Sequence, residues 1–124
     1  MAQNLKVLAV DDDMINLKLL KSMLMKTGNV AEVIEARNGA DAVNVLKERN
    51  DIDIILLDII MPVMGGIEML KVVRADENLH QLPIIVLTTD ETKKNEALEA
   101  GANGFLMKPV RAADVAQKIS EVIL

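Results

Sequence analysis

The sequence has no cysteine and a single histidine, His80. It therefore holds no disulfide framework, no thiolate nucleophile and no zinc site built from cysteine or clustered histidine. Any metal site must use oxygen ligands, and these suit Mg²⁺ or Ca²⁺. Tryptophan and tyrosine are absent too, and there is one phenylalanine. The core must consequently be built from aliphatic side chains and from some of the eight methionines.

Long apolar runs and an excess of basic charge are also missing. No segment reaches the roughly 20 apolar residues that span a bilayer, and the N-terminus lacks the pattern of a signal peptide. Acidic residues outnumber basic ones by 19 to 14, which argues against nucleic acid as a direct partner. We expect one domain over residues 1–124, located in the cytoplasm and without membrane insertion.

Short apolar segments alternate with helical patterns five times along the chain. Strands are predicted at residues 5–10, 31–35, 52–57, 84–87 and 104–107. This alternation implies an α/β fold, a five-stranded parallel sheet with right-handed crossovers and helices on both faces. The first helix is predicted to begin with Asp13 as its N-cap. It should bury a wide apolar stripe formed by Ile15, Leu19, Leu20, Met23 and Leu24.

Residues with reactive side chains follow four of these strands: Asp11 and Asp12 first, then Asp58, Thr88 and Lys108. The C-terminal ends of parallel strands meet at one edge of the sheet, so we expect these side chains to lie together. Three carboxylates in one place repel one another, and a divalent cation relieves that repulsion. Mg²⁺ prefers one or two carboxylates together with water and phosphate oxygens. The pattern therefore predicts a magnesium site.

This set of residues suits phosphoryl transfer better than proton transfer. None of its groups ordinarily titrates near pH 7, where a general acid or base works best. Stabilising a phosphoryl group in transit instead requires positioning and positive charge. Asp58 stands alone at the end of the central strand and is the best-placed nucleophile. Aspartyl phosphates are a known type of covalent intermediate.

Four short motifs carry a resemblance to a known family: VDD at 10–12, DIIMPVMGG from Asp58, VLTT at 86–89 and KP at 108–109. Together they resemble the receiver domain of two-component response regulators, especially the single-domain chemotaxis regulators, over the whole chain. The resemblance implies a flavodoxin-like (βα)5 fold with strand order 2-1-3-4-5. It also implies that Asp58 accepts a phosphoryl group from a sensor histidine kinase.

The resemblance also implies a ligand set for Mg²⁺. Asp12 would bind the ion directly and Asp11 would bind it through water. Asp58 and the backbone carbonyl of Ile60 would complete the ligands that the protein supplies.

The remaining implied roles concern the phosphoryl group and the response to it. Thr88 and Lys108 would contact the phosphoryl oxygens. Phe105 occupies the family's switch position, which is usually aromatic, and Lys108–Pro109 would be a cis peptide bond.

These roles describe a signalling switch and not an enzyme acting on external substrates. Phosphorylation would reshape the surface of the fourth helix, fifth strand and fifth helix, which then binds a partner such as the flagellar motor or another effector. No further domain follows in the sequence, so we expect output through binding. Two alternatives remain open: a phosphorelay intermediate and a receiver-like interaction module that does not use phosphate.

Ile60 is expected to lengthen the lifetime of the phosphoryl group. In the family this position, two residues after the phosphoacceptor, is often polar, and an apolar side chain there should hinder the attacking water. Replacing Ile60 by Asn should therefore accelerate dephosphorylation, measured as the loss of phosphorylated protein with time. An unchanged rate would refute this expectation.

Overall fold

The computed structural model describes residues 4–59, 61 and 63–123. Five strands and five helices alternate along this part of the chain. The strands are β1 (Leu5–Val10), β2 (Val30–Ala36), β3 (Ile54–Asp58), β4 (Ile84–Thr88) and β5 (Gly104–Met107). The helices are α1 (Met14–Met25), α2 (Gly39–Glu48), α3 (Gly66–Ala75), α4 (Lys94–Glu99) and α5 (Ala112–Ile123), with a 3-10 turn at Glu91–Lys93 before α4.

The strands form one parallel sheet in the order β2-β1-β3-β4-β5. The predicted fold class and strand order are thus confirmed. The central strand differs in its bounds, since β3 begins two residues later than predicted and includes Asp58. All four described residues before Asp58 in β3 are buried, because helices cover both faces of the sheet.

The sheet separates two apolar layers. The α2, α3 and α4 side holds one cluster, whose members include Ala42, Leu46, Leu70, Val73 and Ala97. The α1 and α5 side holds the other, with Leu17, Leu20, Leu24, Val115 and Ile119. Strand residues alternate between the two clusters, as the two-residue period of a strand requires. Among the described residues, no helix is long and apolar enough to cross a membrane.

The predicted buried stripe of α1 is partly wrong. Asp13 does cap the helix, accepting hydrogen bonds from the amides of Ile15 and Asn16. The buried residues, however, are Leu17, Leu20 and Leu24, which follow helical spacing along one face. Ile15 and Leu19 are 70% and 58% exposed. Apolar residues surround more of this helix than the sheet can cover, so four of its large apolar side chains remain exposed.

Arg74 ties the C-terminal end of α3 to two loops at the edge of the sheet opposite the strand ends that carry the acids. Its Nε and Nη2 donate to the carbonyl of Gly101 at 3.0 and 2.8 Å. Its Nη1 donates to the carbonyls of His80 and Leu82 at 3.0 and 2.8 Å. Its Nη2 also donates to Oδ1 of Asn103 at 2.8 Å. The guanidinium therefore uses all five of its N–H groups.

Replacing Arg74 by Met should lower the free energy of unfolding by roughly 2 kcal/mol, because several backbone carbonyls lose a charged donor. Urea unfolding followed by far-ultraviolet circular dichroism measures this, since the chain has no tryptophan. The matched control is Lys71→Met on the exposed face of the same helix. Equal stability of the two variants would contradict a stabilising role for the Arg74 contacts.

Candidate metal and phosphoryl site

Three carboxylates meet where β1 and β3 end. Val10 of β1 is in register with Leu57 of β3, so Asp11 and Asp58 follow side by side. Asp12 joins them, and each of the three acids offers a carboxylate oxygen within 4.8 Å of the other two. Asp11 is buried and Asp12 is exposed, while the side chain of Asp58 is 13% exposed. The structure thus brings together acids that lie far apart in the sequence.

The donor atoms fit a magnesium ion. Mg²⁺ binds oxygen at about 2.1 Å in octahedral geometry, so two oxygens on one ion lie about 3 to 4 Å apart. Oxygens within 4.8 Å of one another therefore need only small side-chain movements to share one ion. The cluster contains no histidine or sulfur that would favour a transition metal.

Lys108 lies between two of these acids. Its Nζ is 2.8 Å from Oδ2 of Asp11 and 3.6 Å from Oδ2 of Asp58. Burial acts to lower the pKa of Lys108, but the hydrogen bond to Asp11 and the charge of Asp58 outweigh it and raise that pKa overall. The ammonium group is therefore charged at neutral pH and balances part of the negative charge.

Backbone contacts hold Thr88 and Lys108 beside each other. The Lys108 amide donates to the Thr88 carbonyl at 2.8 Å. The Lys108–Pro109 bond is cis, as the resemblance implied. Thr88 directly follows Leu87, which is in register with Asp58. The strand register thus aligns Thr88 and Lys108 with the end of β3.

Thr88 is 1% exposed and ends β4. Its Oγ1 accepts a hydrogen bond from the amide of Asp90 at 3.2 Å. A hydroxyl can accept and donate at once, so this bond leaves the hydroxyl hydrogen able to donate. Thr88 is therefore suited to donate to an anionic group at the strand ends.

Phe105 lies on the same face of the sheet as Thr88. It is in register with Val86, two residues before Thr88, and alternation along β4 places both residues on one face. The Phe105 side chain is half-buried and packs against the cluster beneath α2, α3 and α4.

The loop after β3 joins that strand to α3. Ile60, predicted to supply a metal-binding carbonyl, lies outside the described residues. Gly39 begins α2, and its amide donates to the carbonyl of Met64 at 2.9 Å. No local pattern could have predicted a contact between residues 25 positions apart.

Comparison with known proteins agrees with this geometry. The sequence profile of the response regulator receiver domain matches residues 7–120. The chain belongs to this family. Phosphorylation-activated switching in two-component systems is the function of the family.

Relatives of this receiver domain match over nearly all of its length. It is 36% identical over 122 residues to the chemotaxis protein CheY-3 of Vibrio cholerae, covering 97% of this chain and 92% of that protein. The structure of Vibrio cholerae chemotaxis protein CheY4 aligns with a TM-score of 0.85 at 34% identity, over 95% of this chain and 98% of that one.

A third relative is a receiver domain from a sensor histidine kinase of Pseudomonas aeruginosa. It aligns with a TM-score of 0.86 at 29% identity, over 97% of this chain and 98% of that one. That structure has a magnesium ion coordinated in its active site cleft. Receiver domains bind Mg²⁺ in an acidic pocket, and the three carboxylates of this chain form such a pocket.

Replacing Asp12 by Asn should weaken Mg²⁺ binding about tenfold or more, because an anionic ligand becomes a neutral amide. Isothermal titration calorimetry with MgCl₂ measures the dissociation constant without an aromatic reporter. The matched control is Asp13→Asn, which keeps the helix cap, removes an equal charge that is not a predicted ligand, and should therefore lower the affinity much less. Equal affinities for both variants would show that Asp12 is not a ligand.

Proposed function

We propose that this receiver domain accepts a phosphoryl group on Asp58 from a phosphohistidine of a sensor histidine kinase. The observation that carries the proposal is the position of Lys108, whose Nζ lies 3.6 Å from Asp58 and 2.8 Å from Asp11. An ammonium group there can neutralise the oxygens of an incoming phosphoryl group. We expect the protein to bind both the kinase and the downstream partner in the cytoplasm.

The transfer step forms one bond and breaks one. An oxygen of the Asp58 carboxylate attacks phosphorus, the phosphorus–nitrogen bond breaks, and the imidazole of the donor leaves with the electron pair. Lys108 and the Thr88 hydroxyl bind the oxygens of the moving group. Asp11, Asp12, Asp58 and the Ile60 carbonyl would hold Mg²⁺, which when bound supplies further positive charge to those oxygens.

Thr88 would transmit the change at Asp58 to the surface. Phosphorylation adds negative charge and new acceptor oxygens at the strand ends. Thr88 moves to donate to them, and the amide of Asp90, hydrogen-bonded to its Oγ1 at 3.2 Å, belongs to the connection towards α4. Phe105, half-buried on the same face, then takes up the space that Thr88 leaves. The surface of α4, β5 and α5 changes, and a partner that prefers the new shape binds.

A phosphorelay intermediate is the second candidate function. Two of the similar structures are receiver domains of histidine kinases, from Syntrophus aciditrophicus and Pseudomonas aeruginosa. In a relay, Asp58 would pass its phosphoryl group to another histidine and not act through a partner such as the flagellar motor. A module that does not use phosphate is disfavoured, because the acids, the hydroxyl and the lysine are all present.

Incubation with acetyl phosphate and Mg²⁺ should add the mass of one phosphoryl group, located on Asp58 by peptide mass spectrometry. The acyl phosphate should not form in Asp58→Asn or in excess chelator. It should form normally in the matched control Asp41→Asn, an exposed acid in the first turn of α2.

Four outcomes of this experiment separate the candidate functions. A stable adduct that strengthens binding of a partner supports the switch, and one that passes quantitatively to a histidine protein supports the relay. No adduct on Asp58 would overturn both. Continuous release of phosphate without a lasting adduct would instead indicate a hydrolase.

A further inference from the structure

The loop between β3 and α3, here called the acceptor loop (residues 59–65), is closed at its base by Gly66. The Gly66 amide donates to the Ile59 carbonyl at 2.8 Å. A Cβ atom on Gly66 would lie 2.4 Å from the carbonyl oxygen of Asp58 and 2.7 Å from Cα of Ile59. Only glycine permits this contact between backbones. The end of the loop is therefore seated directly against the residue that is proposed to carry phosphate.

The same loop is attached on its side to α2. The Gly39 amide donates to the Met64 carbonyl at 2.9 Å. A Cβ atom on Gly39 would lie 2.7 Å from Cγ and 2.8 Å from the carbonyl oxygen of Met64. Both distances are shorter than van der Waals contact allows, and one of the atoms belongs to the backbone. A side chain at position 39 would therefore push the loop and α2 apart.

Of these two elements, the loop is the one that a side chain at position 39 would displace. The start of α2 is held by its cap, because Asn38 Oδ1 accepts a hydrogen bond from the Asp41 amide at 2.9 Å. It is also held by Ala42 and Val43, which are buried in the core. Met64 belongs to no helix or strand and is only half-buried.

The backbone of the acceptor loop is strained at Val63. Val63 has φ of 69°, in the left-handed region that a β-branched residue rarely adopts. Its side chain is 83% exposed, so burial of that side chain does not compensate for the strain. Such a conformation persists only where the surroundings hold it. Two hydrogen bonds supply that restraint. The Gly66 amide holds the Ile59 carbonyl before Val63, and the Gly39 amide holds the Met64 carbonyl after it.

We propose that Gly39 is a positioning residue for the metal and phosphoryl site. By holding Met64 against α2, it keeps Val63 in its strained conformation and so helps to fix Ile59, the residue that follows Asp58. Mg²⁺ requires near-ideal octahedral geometry, so a small displacement of that backbone weakens its binding. This inference rests on the proposed function of the site, but it concerns a residue that touches neither metal nor phosphate.

The test compares Mg²⁺ binding in Gly39→Ala with binding in the wild type, using isothermal titration calorimetry with MgCl₂ alone. The dissociation constant should rise about fivefold or more, since ligand positions shift while all ligands remain. The rate of phosphorylation by acetyl phosphate should fall at low Mg²⁺ and recover as Mg²⁺ is raised. A dissociation constant equal to that of the wild type would overturn the inference.

A matched control separates positioning from general loss of stability. Gly28 has φ of 81° and no atom within 4 Å of its would-be Cβ, and it lies before β2, at the opposite edge of the sheet. Gly28→Ala is therefore expected to destabilise the fold through backbone strain alone. Its Mg²⁺ affinity should equal that of the wild type under conditions where the protein is folded. An equal loss of affinity in both variants would refute the positioning role.

A second variant keeps the inference testable if Gly39→Ala does not fold. Met64→Ala removes the side chain that rests on Gly39 and adds no atom, so the dissociation constant for Mg²⁺ should rise only about twofold. In the double variant, the affinity should lie below that of Met64→Ala, because a Cβ atom at position 39 still lies 2.8 Å from the carbonyl oxygen of residue 64. Unchanged affinity in Met64→Ala would contradict the inference.

The outcomes also separate this inference from the proposed function. Absence of phosphorylation in the wild type would overturn the proposed function. Normal phosphorylation of the wild type, together with unchanged Mg²⁺ affinity in Gly39→Ala, would overturn only the role of Gly39.

Discussion

Electrostatic balance among three carboxylates and one ammonium group is the constraint on which this molecule depends. Asp11, Asp12 and Asp58 have oxygens within 4.8 Å of one another, which would be costly at the partly buried end of a sheet. Lys108 offsets part of that cost through its contacts with Asp11 and Asp58. The same excess of negative charge that Lys108 only partly cancels is what attracts a divalent cation.

The parallel sheet makes this arrangement possible. The C-terminal ends of the strands lie at the same edge, so four separate chain segments, at the ends of β1, β3, β4 and β5, can supply functional groups to one site. Asp58 and Thr88 are the last residues of buried strands, while Asp11, Asp12 and Lys108 lie in the turns that follow theirs. The Asp13 amide, for example, donates to Oδ1 of Asp11 at 2.9 Å. Precision at the site thus comes from the sheet, and freedom to respond comes from the loops.

Sequence patterns predicted the features of this structure that depend on residues close together in the chain. Alternating strands and helices implied the parallel sheet, and the sheet implied that Asp58, Thr88 and Lys108 would meet. Asp13 was predicted as a cap because its side chain can bond only to amides nearby in the sequence. The stripe of α1 was predicted too wide, since periodicity cannot tell which apolar residues the sheet has room to cover.

Contacts between distant residues could not be predicted in this way. Gly39 meets Met64 and Arg74 meets Gly101 because of how loops pack in three dimensions. A glycine at a helix start and an arginine at a helix end each have an ordinary local explanation. Nothing in the sequence distinguishes that explanation from the role seen in the structure.

The ion pairs of Lys108 also matter for the protein without a bound metal ion. Because an internal ammonium group already partners two of the acids, folding does not have to wait for a metal ion. Two of the three acids thus have a cationic partner within the protein itself, and a bound metal ion would add to a charge balance that the fold already provides in part.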